Sequence, residues 1–326
     1  MKIIPSWMAA PSLAVGVSVI LAACSTTSSS SPATSAAGTK AHQVNISVPS
    51  VAVSLPVLVA QQEGYFRQQH LKVAITKLVN LTQLVPALVK DQYNIGITTA
   101  TNLITARSAH IALVAVSGDT VDSNKTPPTA EVVVKASSSL HSLRNLGDKT
   151  IGVSSITANT NIALEYKLQQ LGVTGVHFIQ IAYPNMLGQL QAGRVNAVVP
   201  GTPYLEAFQS PSYHFLGDPN LFLPIPNVSA IWVSSQQWAE THQQALAAFR
   251  AAINQAIHFI PIHTATDDKL LAQLSGIGKN IISRSPLPVF SSAINARDFE
   301  LWLKAMNAVA GNRYQHILPS SLVLSG

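Results

Sequence analysis

The chain has 326 residues, 47% of them hydrophobic and 10% charged, with a net charge of +6 and a single cysteine. Its Lys and Arg residues stand isolated, which excludes the clustered basic face of a nucleic-acid binder and leaves solubility as the plain reading of the positive balance. One cysteine excludes an intramolecular disulfide, so stability has to come from an ordinary hydrophobic core.

Met1-Lys2 is a short basic start and Trp7 to Ile20 an apolar run; Leu21-Ala22-Ala23-Cys24 then resembles a bacterial lipobox. That pattern implies cleavage before Cys24, diacylglycerol on its sulfur, and a chain anchored to the extracytoplasmic face of a membrane without spanning it. Pro5, Pro11 and the polar stretch from Ser25 argue against a retained helix of about 20 apolar residues. Residues 25–43, rich in Ser, Thr and Ala, have nothing to bury and read as a flexible tether. About 280 residues remain, enough for two modest domains.

Beyond Gln43, strand and helix patterns alternate, which predicts an α/β fold with mainly parallel sheets. Val44 to Val48 reads as a strand, Leu55 to Phe66 as a helix closing at Gly64, and Leu71 to Val79 as a strand. Leu81 to Lys90 reads as a helix with Pro86 in its first turn or at a bend. A strand from Tyr93 to Thr98, a helix from Asn102 to Ser108 and a strand from His110 to Val116 follow. The stretch Gly118 to Thr129 breaks the rhythm and reads as a first crossover. Strands are then expected at 131–135, 150–153, 176–181 and 195–199, and helices at 159–171, stopped by Gly172, and at 185–192.

Leu88, Asn94, Ile97 and Leu103 recur as Leu190, Asn196, Val199 and Leu205 at a constant offset of 102. Such a period is too long for a solenoid and points to two similar lobes. Four prolines between Ser210 and Asn227 mark a second break. A strand is expected at 228–234, then a long helix from Trp238 to Ile260 with Ala245, Phe249, Ile253, Ala256 and Ile260 on one face. Helices at 268–274 and 296–309 follow, the latter capped by Asn295. The expected organisation is a signal at 1–24, a tether at 25–43, lobe I from 44–120 and 225–326, and lobe II from 121–224.

Several of these segments carry a family resemblance. Leu55-Pro-Val-Leu-Val-Ala-Gln-Gln-Glu-Gly-Tyr-Phe66, followed by His70-Leu-Lys-Val73, resembles the opening of the type 2 periplasmic-binding-protein fold in its sulfonate, nitrate and thiamine-precursor branch. Residues 87–96, 142–153 and 186–197 extend the likeness. The resemblance implies two lobes joined by two crossovers and the substrate-binding role in an ABC importer. Its implied partners are a small molecule, a membrane permease and the ATPase subunit. A monomer is expected. A ligand-binding sensor without transport is the alternative.

In open α/β sheets, ligands bind beyond the carboxyl ends of the strands, at loops leading into helices. Four such loops stand out: 50–54 and 98–102 in the first lobe, 154–161 and 200–204 in the second. They offer Ser50, Ser54, Thr99, Thr101 and Asn102, then Ser155, Thr157, Asn159, Thr160 and Asn161, and finally Gly201, Thr202 and Tyr204. Hydroxyls and amides at helix starts suit a hydrogen-bond-accepting or negative group, and equally suit helix capping. Members of the resembled branch that recognise amines carry a Glu before the loop proline, where this chain has Gly201-Thr202-Pro203. No Asp or Glu lies in the four loops, Glu206 being the nearest, so the expected ligand is anionic or neutral with an apolar or aromatic part. Tyr204 could stack on that part; Trp232 is a weaker candidate, better placed in the core.

No serine elbow, P-loop, zinc-protease helix or dinucleotide-binding turn is present, and His258 and His263 are poorly spaced for a metal. Binding without catalysis, cofactor or metal is the expectation.

Overall fold

The computed structural model describes residues 42–262 and 264–324; Cys24, most of the tether and His263 lie outside them. In chain order, β1 (His42–Val48) leads to α1 (Leu55–Gln62), α2 (Tyr65–Gln68) and β2 (Leu71–Lys77). Then come α3 (Leu84–Val89), β3 (Ile95–Thr99), α4 (Ala100–Ser108), β4 (Leu113–Gly118) and β5 (Thr120–Asp122). The middle of the chain supplies β6 (Val133–Lys135), β7 (Thr150–Val153), α5 (Asn159–Gln170), β8 (His177–Gln180), α6 (Met186–Gln191), β9 (Ala197–Val198) and β10 (Tyr213–Phe215). The last third adds β11 (Asn227–Val228), β12 (Ala230–Ser235), α7 (Gln236–Thr241), α8 (Gln243–Phe259), α9 (Thr264–Ser275), α10 (Lys279–Ile282), β13 (Val289–Phe290) and α11 (Glu300–Ala310).

Two five-stranded sheets share one plan, with strand orders β2-β1-β3-β12-β4 and β8-β7-β9-β6-β10. In each, a central strand is parallel to two neighbours, β1 in the first sheet and β7 in the second. One strand in each, β12 or β6, is antiparallel to the strands beside it. Four strands of each sheet therefore run one way and the fifth is reversed, as the mainly parallel expectation allows. The 102-residue repeat falls on matching positions. Ile46 pairs with Ile95 and Ile151 with Ala197. The Asn94 side-chain carbonyl accepts the Asn45 backbone N–H at 2.8 Å, and Asn196 accepts that of Thr150 at 2.9 Å. Both asparagines tie the turn before one strand to its parallel neighbour, Asn94 to the middle of β1 and Asn196 to the first residue of β7.

Several boundaries differ from expectation for local reasons. β1 opens at His42, because the whole strand is registered against β2 from His42 opposite Leu71. The first helix is two helices, since Gly64 adopts φ +75°, a left-handed conformation that stops α1 and redirects the chain into α2. The long helix near the C-terminal third breaks at His242, with φ −124° and ψ 38°, into α7 and α8. Its expected face is nevertheless the buried one: Ala245, Phe249, Ile253, Ala256 and Ile260 are all 3% exposed or less. Phe249 stacks on Phe66 and meets the edge of Trp232, which is fully buried and belongs to the first lobe's core. Pro86 sits in the first turn of α3, and Asn295 caps the last long helical segment in a capping box with Asp298.

A small third sheet, β11-β5-β13, joins the two crossover regions. β5 lies inside the first sequence break and β11 at the end of the second. Strands of two or three residues carry no readable period, so the sequence shows only proline-rich interruptions there.

Candidate ligand-binding site

The two sheets direct their helix-leading loops at one cleft with a volume of about 140 Å³. A cavity of about 150 Å³ holds benzene, so a single-ring solute sets the scale. Of the residues expected at the site, Thr99, Asn102, Asn159, Thr160, Gly201 and Thr202 line it.

The others are elsewhere. Ser54 is fully buried and its hydroxyl donates to the Pro49 carbonyl at 2.6 Å, fastening its own turn. Ser50 lines a separate small pocket beside the cleft, with Leu78 and Pro184. The Asn161 side-chain amide donates to the Ile156 carbonyl at 2.7 Å and to Glu165 at 3.1 Å, away from the cleft. Ser155 hydrogen-bonds the Thr157 hydroxyl at 3.2 Å. The Tyr204 hydroxyl donates to the Ser275 carbonyl, and its ring stacks on Tyr183 with centroids 5.9 Å apart, so Tyr204 supports the cleft from behind.

Thr101 and Thr157 bond across the cleft. The Thr101 backbone N–H and hydroxyl both donate to the Asn159 side-chain carbonyl, at 3.0 and 2.8 Å. The Thr101 hydroxyl also approaches the Thr157 carbonyl at 2.6 Å, and the Thr157 hydroxyl donates to Asn102 at 2.6 Å. The Asn159 amide reaches the Ser229 carbonyl at 2.9 Å and that of Val228 at 3.4 Å. Asn159 is 2% exposed and ties the start of α5 to α4 and to the returning chain. The Ala52 N–H donates to the Thr202 carbonyl at 3.1 Å, and Gln180 donates to Asn80 at 3.2 Å. Much of the polar set read from the sequence thus holds the two sides together.

Other lining residues come from places the four-loop reading passed over. Tyr183 follows β8 and Leu81 precedes α3, so each lobe contributes a third strand-to-helix loop. The signal was present, because both loops also end strands at the carboxyl side. Asp122 and Asp218 come from the crossover segments. The absence of a carboxyl group, on which the anionic-or-neutral expectation rests, therefore does not hold for the cleft, and Glu206 is not the nearest acid.

Burial pushes the Asp122 carboxyl up to about 8, with a Ser229 hydrogen bond opposing and the charge of Asp218 adding. Burial likewise raises Asp218 to about 6, against the backbone N–H of Asn220, which donates to it at 2.8 Å. Glu131, beyond Asp218, rises to about 7 through burial and the Asp218 charge. Burial also raises the Tyr183 phenol, with a Ser154 hydrogen bond opposing.

The NMT1/THI5-like family model matches residues 52–264, about two thirds of the chain. The chain belongs to the NMT1/THI5-like family. No curated protein sequence matches at a comparable level. Among solved structures, the alkanesulfonate-binding protein SsuA from Xanthomonas axonopodis pv. citri, bound to MOPS, is 18% identical with a TM-score of 0.71 over 88% of this chain and 97% of its own. The aliphatic sulphonate binding protein SsuA from Escherichia coli is 17% identical, TM-score 0.68, over 87% and 97%. The periplasmic nitrate-binding protein NrtA from Synechocystis PCC 6803 is 10% identical, TM-score 0.68, over 82% and 81%. These likenesses show that this member of the family has the two-lobed periplasmic-binding-protein fold. Among the described residues, no group of three or more His, Cys, Asp or Glu is placed to hold a metal.

Proposed function

We propose that the protein is the lipid-anchored solute-binding component of an ABC importer. It holds a small organic molecule between lobe I (44–120 and 225–326) and lobe II (121–224) and delivers it to a membrane permease served by an ATPase subunit. Lipid on Cys24 keeps it at the extracytoplasmic face, and the tether at 25–43 gives it reach. The carrying observation is a cleft of about 140 Å³ at the carboxyl ends of both sheets, lined by threonines, asparagines and the Tyr183 ring. Family membership and the binding roles of the similar structures support the same reading.

Binding-linked closure supplies the signal to a permease, because a ligand touching both walls stabilises the state in which they meet. Thermal unfolding against a panel of sulfonates, nitrate, pyrimidines and amines tests it. A ligand at 100 times its dissociation constant adds about 2.7 kcal/mol, which raises the midpoint by about 5 °C in a chain of this size. A midpoint unmoved by every member of the panel would sink the solute-binding reading.

A further inference from the structure

Given a solute-binding cleft, its charge inventory restricts what it accepts. Resting on that reading, we infer that the solute is a small organic cation: a ring-sized nitrogen base that donates N–H groups to Asp122 and Asp218 and lies against Tyr183.

The net charge of the chain is +6, yet among the described residues no Lys, Arg or His lines the cleft, while two carboxyl groups do. Asp122 is 6% exposed, and its Oδ2 has no hydrogen-bond partner among the described residues. That oxygen is sealed from solvent in the ligand-free protein, and an unpartnered buried carboxyl oxygen is costly until a small turn of the side chain brings it to a ligand donor in the cleft. Asp122 and Asp218 both line the cleft, and the charge of Asp218 adds to the burial that raises Asp122, so the wall carries acid with no cation set against it. An anionic solute would meet the charge of Asp218, with no Lys, Arg or His among the described lining residues to offset it.

The starts of α4 and α5 also face the cleft, and helix N-termini favour anions. Their donors are largely committed, however. Thr101 N–H goes to Asn159, Asn102 N–H to the Thr99 hydroxyl at 3.3 Å, and Asn161 N–H to the Ala158 carbonyl. Tyr183 supplies a ring whose position is fixed by the stacked Tyr204 behind it, and a ring face attracts a cation.

The test compares three probes of one shape, benzamidinium, benzamide and benzenesulfonate, by thermal unfolding and calorimetry on the full chain in detergent. Benzamidinium is expected to bind, more tightly at pH 8 than at pH 5, because protonating the acids removes its countercharge. The titratable groups around Asp122 are Asp218, Glu131 beyond it and Asp119 earlier on the chain; β11 and β13, paired with β5, bring none. Asp122→Asn is expected to weaken benzamidinium about 10- to 100-fold, the scale of a lost charged hydrogen bond. Asp218→Asn, which keeps an acceptor for Asn220, gives the same readout should the first variant not fold.

Stronger binding of benzenesulfonate or benzamide, tightening toward low pH, or unchanged benzamidinium affinity in the variants would overturn the cation assignment and leave the solute-binding reading intact. Silence from these probes and from the whole panel above overturns both.

Discussion

Asp122 is the place where binding and stability pull apart, and Asp122→Asn measures by how much. In the ligand-free protein its carboxyl titrates at about 8 instead of 3.8, chiefly because it is buried. The folded state therefore binds a proton that the unfolded chain has released throughout that interval. Stability from this group is fully present below pH 4 and is lost as pH rises toward 8, at 1.36 kcal/mol per pH unit. By pH 7 the accumulated penalty is about 4 kcal/mol, against about 2 kcal/mol at pH 5. Asn has the same shape and no charge, so the variant escapes this slope. Without ligand it is expected to exceed the parent chain in urea unfolding by up to about 4 kcal/mol at pH 7, with the gap narrowing by about 1.4 kcal/mol for each unit of acidification. Asp218 and Glu131 titrate in both proteins, so the difference reports Asp122 together with its coupling to Asp218. A gap that stays constant from pH 5 to pH 7 would refute the reasoning.

Asn159→Ala removes the acceptor for two Thr101 donors and the donor to Ser229 at a buried site; it should cost about 2–4 kcal/mol in urea unfolding, and a loss under 0.5 would contradict the latch. Asn94→Ala should cost about 1–2 kcal/mol and Asn196→Ala about 0.5, because water replaces the bond at the exposed copy; equal losses would mean burial does not set the difference. Tyr183→Leu should weaken a ring-bearing ligand about 5- to 10-fold by calorimetry, worth about 1 kcal/mol; unchanged affinity would remove the ring from the site. Cys24→Ala should move the protein from the membrane to the soluble fraction, and a variant that still sediments with membranes would refute the lipid anchor.

The core was legible in the sequence wherever a period ran long enough. The α8 face, five residues spaced three or four apart, is the buried one, and the recurrence of Asn94 as Asn196 marked two equivalent turns before their bonds were visible. The cleft was legible only in part, for a physical reason. Loops that start helices announce themselves by Ser, Thr and Asn, but these same residues cap and fasten, as Ser54, Asn161 and Thr101 do. Conversely, Asp122 and Asp218 sit in segments whose prolines read as mere interruptions. What places Asp122 is the pairing of β5 with β11, more than a hundred residues away in the chain. No local pattern encodes that.

The position of β12 also has a consequence for the order in which the molecule assembles. This strand lies between β3 and β4, hydrogen-bonded to both, although it is made long after either. A chain emerging N-terminus first cannot finish its first sheet until residue 235 has appeared. The second sheet draws all its strands from residues 133–215 and can close on itself in the meantime. As the chain emerges, the early half waits with an open seam between β3 and β4, exposing two strand edges. A chaperone that shields nascent edges would find its longest-lived substrate there, and the later-made sheet would be the first to stand alone.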